Sequence, residues 1–166
     1  MSYTESFETD DIHPIDIVEK LAESNQWDFD RISDEQIAMA VEGQWRTYSV
    51  TLAWSHQDET LRLICTFEMQ PPVEKLPAVY ELLNLINDRI WAGGFSYWSE
   101  ENLLVYRYGL LLAGEAEASS IQITTMIAAA VSSSECYYPA LQLAIWSDAP
   151  PVKAIEVAIK EAYGRA

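Results

Sequence analysis

The stretch 82–112, LLNLINDRIWAGGFSYWSEENLLVYRYGLLL, limits the folds open to this chain more than any other. It passes from helical spacing, through Gly93-Gly94, into two runs of alternating side chains, and so joins a helix to a β-hairpin. The expected strands are residues 95–99 and 103–112, around the polar turn Glu100-Glu101-Asn102. In the second run Leu104, Tyr106, Tyr108, Leu110 and Leu112 share one face, while Leu103, Val105, Arg107, Gly109 and Leu111 share the other. Both faces are largely apolar with one cation between them, which fits a central strand covered on both sides or an interface strand.

Upstream, Pro14 suits the first turn of a helix over 14–25, and Ile15, Val18, Leu21 and Ala22 recur at helical spacing. The period then changes to two. A short strand is expected over 28–32, followed by Ile37/Met39/Val41, Tyr48/Val50/Leu52/Trp54 and Leu61/Leu63/Cys65/Phe67/Met69. Short polar connections make these an antiparallel meander with one covered face. Pro71-Pro72 ends it, and a helix is predicted over 73–91 with Leu76, Val79, Tyr80, Leu83, Ile86, Asn87 and Ile90 in one stripe. Leu82 and Leu85 widen that stripe, so the helix is expected to touch both its own sheet and a partner subunit. Downstream, Ser119 or Ser120 caps a helix that Pro139 is expected to break or kink. Pro150-Pro151 opens a last helix, with Val152, Ile155, Ile159 and Tyr163 inward. The fold class is α+β: an antiparallel sheet built as α-β-β-β-α-β-β-α, with residues 28–32 as an optional further strand and an additional C-terminal helix. No repeat or linker divides it, so residues 13–166 read as one domain behind an acidic, mobile N-terminal tail over 1–12.

Charge narrows function. The formal net charge is −16, and residues 1–35 alone hold eleven acidic side chains against Lys20 and Arg31. A phosphate backbone or an anionic membrane surface would be repelled, so neither nucleic acid nor membrane is an expected partner. No apolar run is long enough to span a bilayer, and the acidic N-terminus has no signal-peptide pattern; a cytoplasmic location is expected. Cys65 and Cys136 leave a single disulfide open, although their apolar contexts favour reduced, buried thiols.

The chain offers no convergent catalytic set. His13 starts a helix and His56 sits in a turn, both expected to be solvated. No Cys or His spacing fits a metal, and Gly93-Gly94 are not followed by the helix a phosphate loop needs, so no metal or cofactor is expected. Arg107 reads either as a partly buried Arg paired to a carboxylate or as an anchor for an anion or a backbone carbonyl. The aromatics are numerous enough to leave some exposed, and exposed aromatics mark interfaces. The expected partner or ligand surface comprises Leu82, Leu85, Trp91, Trp98, Tyr106, Arg107, Tyr108 and Tyr138.

One resemblance adds to this. The helix carrying Asn84 and Asn87, Gly94-Phe95 opening a hairpin, Arg107-Tyr108 in its second strand and Tyr138-Pro139-Ala140-Leu141 look like the YbjN family of bacterial proteins. The order of elements from Pro14 to Trp146 resembles the type III secretion chaperone-like fold. The resemblance implies a cytoplasmic sensory-transduction regulator without catalytic residues; the secretion chaperones of that fold are small acidic dimers that hold extended polypeptides. The expected function is therefore a non-enzymatic, chaperone-like module, homodimeric through the helix over 73–91, that binds a polypeptide client. The alternative is a small-ligand sensor with Arg107 and neighbouring tyrosines lining its pocket.

Overall fold

In the computed structural model, residues 13–164 are described; the tail expected over 1–12 lies outside them. The chain runs α1 (Pro14–Ser24), β1 (Asp28–Ser33), β2 (Gln36–Glu42), β3 (Thr47–Ser55) and β4 (Thr60–Glu68). A single 3-10 turn (Val73–Lys75) leads into α2 (Leu76–Asn87), followed by β5 (Gly94–Trp98), β6 (Leu103–Leu111), α3 (Ser120–Trp146) and α4 (Pro151–Gly164). The alternating runs become one antiparallel six-stranded sheet in the order β1-β2-β3-β4-β6-β5. The optional strand over 28–32 is present as β1.

Alternation decides what each strand buries. Ile37, Met39, Val41, Tyr48, Val50, Leu52, Leu61, Leu63, Cys65 and Phe67 all turn to one face and are buried there. Ile15, Val18 and Ala22 of α1 cover the β1–β3 end, while α3 covers β4 and β6. Full burial of one such aliphatic side chain contributes about 1.5–3 kcal/mol, so this shared face dominates stability. The opposite face is open, with Ser49, Arg62, Arg107 and Leu111 exposed. Strand β6 is covered on both sides only over its first half, where Leu104, Val105 and Tyr106 are all buried, whereas Arg107 and Leu111 face outward.

Four expectations about helices are corrected. The helix expected over 73–91 ends at Asn87, where the side chain turns to the hairpin instead of continuing the stripe. Leu82 is 0% exposed, because the second apolar face of α2 packs on α4 and α3 within the same chain. It therefore offers no surface to a partner subunit. Pro139 does not break α3, which runs for 27 residues through it. Tyr137, Ala140, Leu141 and Ala144 are buried on both sides of the proline, and packing outweighs the lost backbone bond. In α4 the buried positions are Pro151, Ala154, Ile155 and Ala158, while Val152 and Tyr163 are exposed. Of the expected inward set, Ile155 is buried and Ile159 packs partly against the core, while small alanines carry the rest of that face.

Local chemistry fixes the joints. His13 caps α1, its Nδ1 accepting the Ile15 N–H at 3.2 Å, with its ring edge-on to Trp54. His56 pairs with Glu35 and accepts the Trp54 indole N–H at 3.2 Å, so neither histidine is simply solvated. Ser119 and Gln122 form a capping box at the start of α3. Gly93 has φ +77°, and a side chain there would strike the Tyr106 ring and the Arg107 carbonyl. Both cysteines are free thiols.

Candidate functional site

The β2–β3 connection is where the fold opens a cavity. Gly43 N–H donates to the Arg46 carbonyl at 2.9 Å, closing a tight turn over Gln44 and Trp45. The Arg46 guanidinium lies over the Phe67 and Tyr138 rings, 5.2 and 5.6 Å from their centroids. Trp45 meets α3 instead, and its backbone N–H donates to Glu135 Oε1 at 3.3 Å. Gly43 is required beside it, since a side chain would run into the Glu135 carboxylate and the Tyr48 ring.

Between this turn, Trp27, α3 and the end of α4 lies a cavity of about 680 Å³. Its bed is apolar, made by Val41, Ile127, Val131 and Ala158, with Trp27 and Trp45 on its walls. Past Pro139 and Glu161 it meets a second hollow of about 500 Å³, lined also by Leu143, Val157 and Trp146, which is 78% exposed. The two share Pro139 and Glu161 and together make a groove along α3 and α4.

Glu42, Glu135 and Glu161 are the charged residues in the larger cavity, and no described Lys, Arg or His lines it. The buried Tyr48 hydroxyl lies beside Glu135 without a hydrogen-bond partner in regular geometry. Burial, then the neighbouring carboxylate, pushes its pKa up, so it stays protonated. Cys136 also lines the cavity, and burial raises its pKa, which keeps it a thiol and a poor nucleophile.

A third hollow, of about 850 Å³, lies on the open sheet face and is lined by Arg62, Ile64, Ser96, Trp98 and Arg107 among others. Arg62 is held by Asp58 at 2.8 Å. Arg107 is exposed and, among the described residues, has no carboxylate partner, which goes against the first of its two readings, a partly buried Arg paired to a carboxylate.

The structure does not gather the eight residues read from the sequence onto one surface. Leu82 and Tyr106 are buried, and Tyr106 donates its hydroxyl to the Ala92 carbonyl at 2.8 Å. Leu85 is half-buried against the core, Tyr108 faces the core side of β6, and Tyr138 lies under Arg46. Trp91 stands fully exposed in the turn after α2, and Trp98 joins Arg107 on the open face. Sequence reasoning missed Trp27, Trp45 and Glu135. The available signal was Trp45 itself, a large aromatic in a Gly-Gln turn where nothing local could bury it.

Comparison with known proteins bears on the whole frame. The YbjN family model, described as "Putative bacterial sensory transduction regulator", matches residues 14–143. This chain belongs to the YbjN family. The fold is similar to the crystal structure of YbjN from E. coli, with a TM-score of 0.53 and 10% identity over 90% of this chain and 94% of that one. A chain of the HopA1-SchA chaperone-effector complex matches at a TM-score of 0.48 and 15% identity, over 70% of this chain and 85% of that one. No curated protein matches significantly in sequence. Among the described residues of this YbjN family member, no helix is long and apolar enough to cross a membrane, and no His, Cys, Asp and Glu group could hold a metal.

Proposed function

We propose that this YbjN family member is a non-enzymatic regulatory module that binds a polypeptide segment, chaperone-like in manner, in the α3–α4 groove. The observation that carries the reading is that the two hollows meet at Pro139 and Glu161, giving an aromatic-walled trough whose parts, of about 680 and 500 Å³, together exceed the roughly 1,000 Å³ upper range of a small-ligand pocket. The sheet edges favour no other mode. Phe95 on edge strand β5 is already engaged by Asn87, and edge strand β1 carries Asp28, Asp30 and a register shift near its end. The cytoplasm is the proposed setting, since Cys65 and Cys136 stay reduced there. A homodimer is not needed to cover α2, because α4 does so.

The test is a peptide library panned on the full-length protein, with each enriched sequence measured by calorimetry. Ala128 is exposed on α3 and lines the groove, so Ala128→Trp fills it without disturbing the core. Apolar segments that bind the wild type and lose at least about 10-fold in affinity with Ala128→Trp support the reading. Binding indifferent to Ala128→Trp sinks it.

A second reading, a small-ligand sensor, is favoured by Arg107 in the open-face hollow, which has no carboxylate partner among the described residues. Inorganic phosphate titrated against wild type and Arg107→Ala, followed by amide resonances of β5 and β6, tests it; equal responses remove it.

A further inference from the structure

We infer that the α3–α4 groove is selective for a cationic anchor: a primary ammonium or guanidinium group on an apolar body, seated between Trp27 and Trp45 against Glu135. This rests on the groove reading above and specifies what the groove takes. The cavity joins an apolar bed to an acidic wall. An alkyl chain would be satisfied by Val41, Ile127, Val131 and Ala158, but those residues give no reason for a carboxylate in the wall. Glu135 is half-buried, and its described neighbours are the backbone N–H of Trp45 and the protonated Tyr48 hydroxyl, both neutral donors. No described cation pairs with it, whereas Arg31, Arg62, Lys75 and Lys153 are each committed to carboxylates elsewhere.

A carboxylate held in an apolar cavity binds best to a group that brings its own charge and donors. Indole faces attract cations by the same electrostatic logic and are the strongest aromatic partners for them. Glu42 and Glu161 lie on the same cavity and add to its negative potential, so an anionic ligand would be rejected. Glu135 is also held by design of the backbone. Gly43 leaves room for its carboxylate, and the β2–β3 turn fixes the Trp45 N–H against it. The anchoring group is a Lys or Arg side chain of the bound segment, since the trough that takes it continues past Pro139 and Glu161.

The test uses full-length protein and three probes with one apolar body: n-octylammonium, n-octanol and octanoate. Affinities are read by calorimetry, and location by the indole N–H resonances of Trp27 and Trp45. In parallel, an apolar peptide with one central lysine is compared with its norleucine counterpart. Octylammonium is expected to bind about 10-fold or more tightly than octanol, with octanoate weakest. Glu135→Gln, which keeps an acceptor for the Trp45 N–H, should bring the ammonium down to the alcohol and leave the alcohol unchanged. Should Glu135→Gln fail to fold, Glu161→Gln at an exposed helix position carries a smaller loss of the same sign.

Equal binding of ammonium and alcohol, both still blocked by Ala128→Trp, overturns the cationic anchor while the groove stands. Probe binding untouched by Ala128→Trp overturns the groove reading and the anchor together. A lysine preference in the peptide supports the polypeptide source, and an ammonium preference among the octyl probes with none in the peptide overturns that source in favour of a free amine.

Discussion

A thiol in the core shows how one residue sets a pH limit. Burial pushes Cys65 from 9.0 up to about 11, and the Ser134 hydroxyl 3.8 Å away only partly opposes this. The folded protein therefore keeps a proton that the unfolded thiol releases. The stability contributed by Cys65 is complete below pH 9.0 and is lost as pH rises through about 11. Tyr106, raised from 10.0 to about 12 mainly by burial, adds a loss of the same sign in the next window. Urea midpoints are expected to be insensitive to these two groups up to about pH 8.5. Above pH 9 each group should remove up to about 1.4 kcal/mol per pH unit within its window. Cys65→Ala should flatten the first part of that decline; an unchanged slope between pH 9 and 10 would assign it to other groups. The burial of Cys65 was legible in the sequence, because it sits in phase with Leu61, Leu63 and Phe67. Its partner Ser134 was not, because a serine midway along a helix looks like any other polar position until the helix is laid on the sheet.

Elements are joined by side chains that complete one another's backbones. The last residue of α2, Asn87, donates through Nδ2 to the Phe95 carbonyl at 3.0 Å and accepts the Phe95 N–H at 2.8 Å. It thereby imitates a neighbouring strand at the free edge of β5. Asn87→Ala removes both bonds and leaves that edge open. It should cost about 1–3 kcal/mol in chemical denaturation and speed amide exchange at Phe95 by at least about 10-fold, with β2 and β3 unchanged. Protection at Phe95 that survives the substitution would mean the edge is held by β6 alone. At this scale the period-two runs were legible, since alternation reports directly which face a strand buries. The end of α2, the passage of α3 through Pro139 and the inward face of α4 were not. Each depends on a tertiary contact: Asn87 to the hairpin, and Tyr137, Ala140, Ala154 and Ala158 to the core. The groove was illegible for the same reason, being assembled from Trp27, the β2–β3 turn, α3 and α4, which are distant in sequence.

Across the whole molecule, charge works against compactness and toward binding. The formal net charge is −16, and the described cation pairs engage only a few of its carboxylates, among them Asp16 and Glu19 with Arg31, Asp58 with Arg62 and Asp148 with Lys75. The remaining carboxylates repel one another over distances that low salt leaves unscreened, the Debye length being roughly 30 Å at 10 mM and 8 Å at 150 mM. Exposed ion pairs are worth at most about 1 kcal/mol each, so self-repulsion should dominate the salt response. Raising NaCl from 10 to 300 mM is therefore expected to raise Tm by about 3–6 °C, equivalent to about 1–2 kcal/mol at this chain length. A Tm that falls with salt would mean the Arg31 and Lys75 pairs outweigh the excess charge. The same field would steer a cationic segment toward the Glu42–Glu135–Glu161 cavity, so its association rate should fall steeply over the salt range in which the fold becomes more stable. Stopped-flow mixing of the lysine peptide at the two salt concentrations measures this directly. An association rate indifferent to salt would confine the role of Glu135 to holding the bound complex.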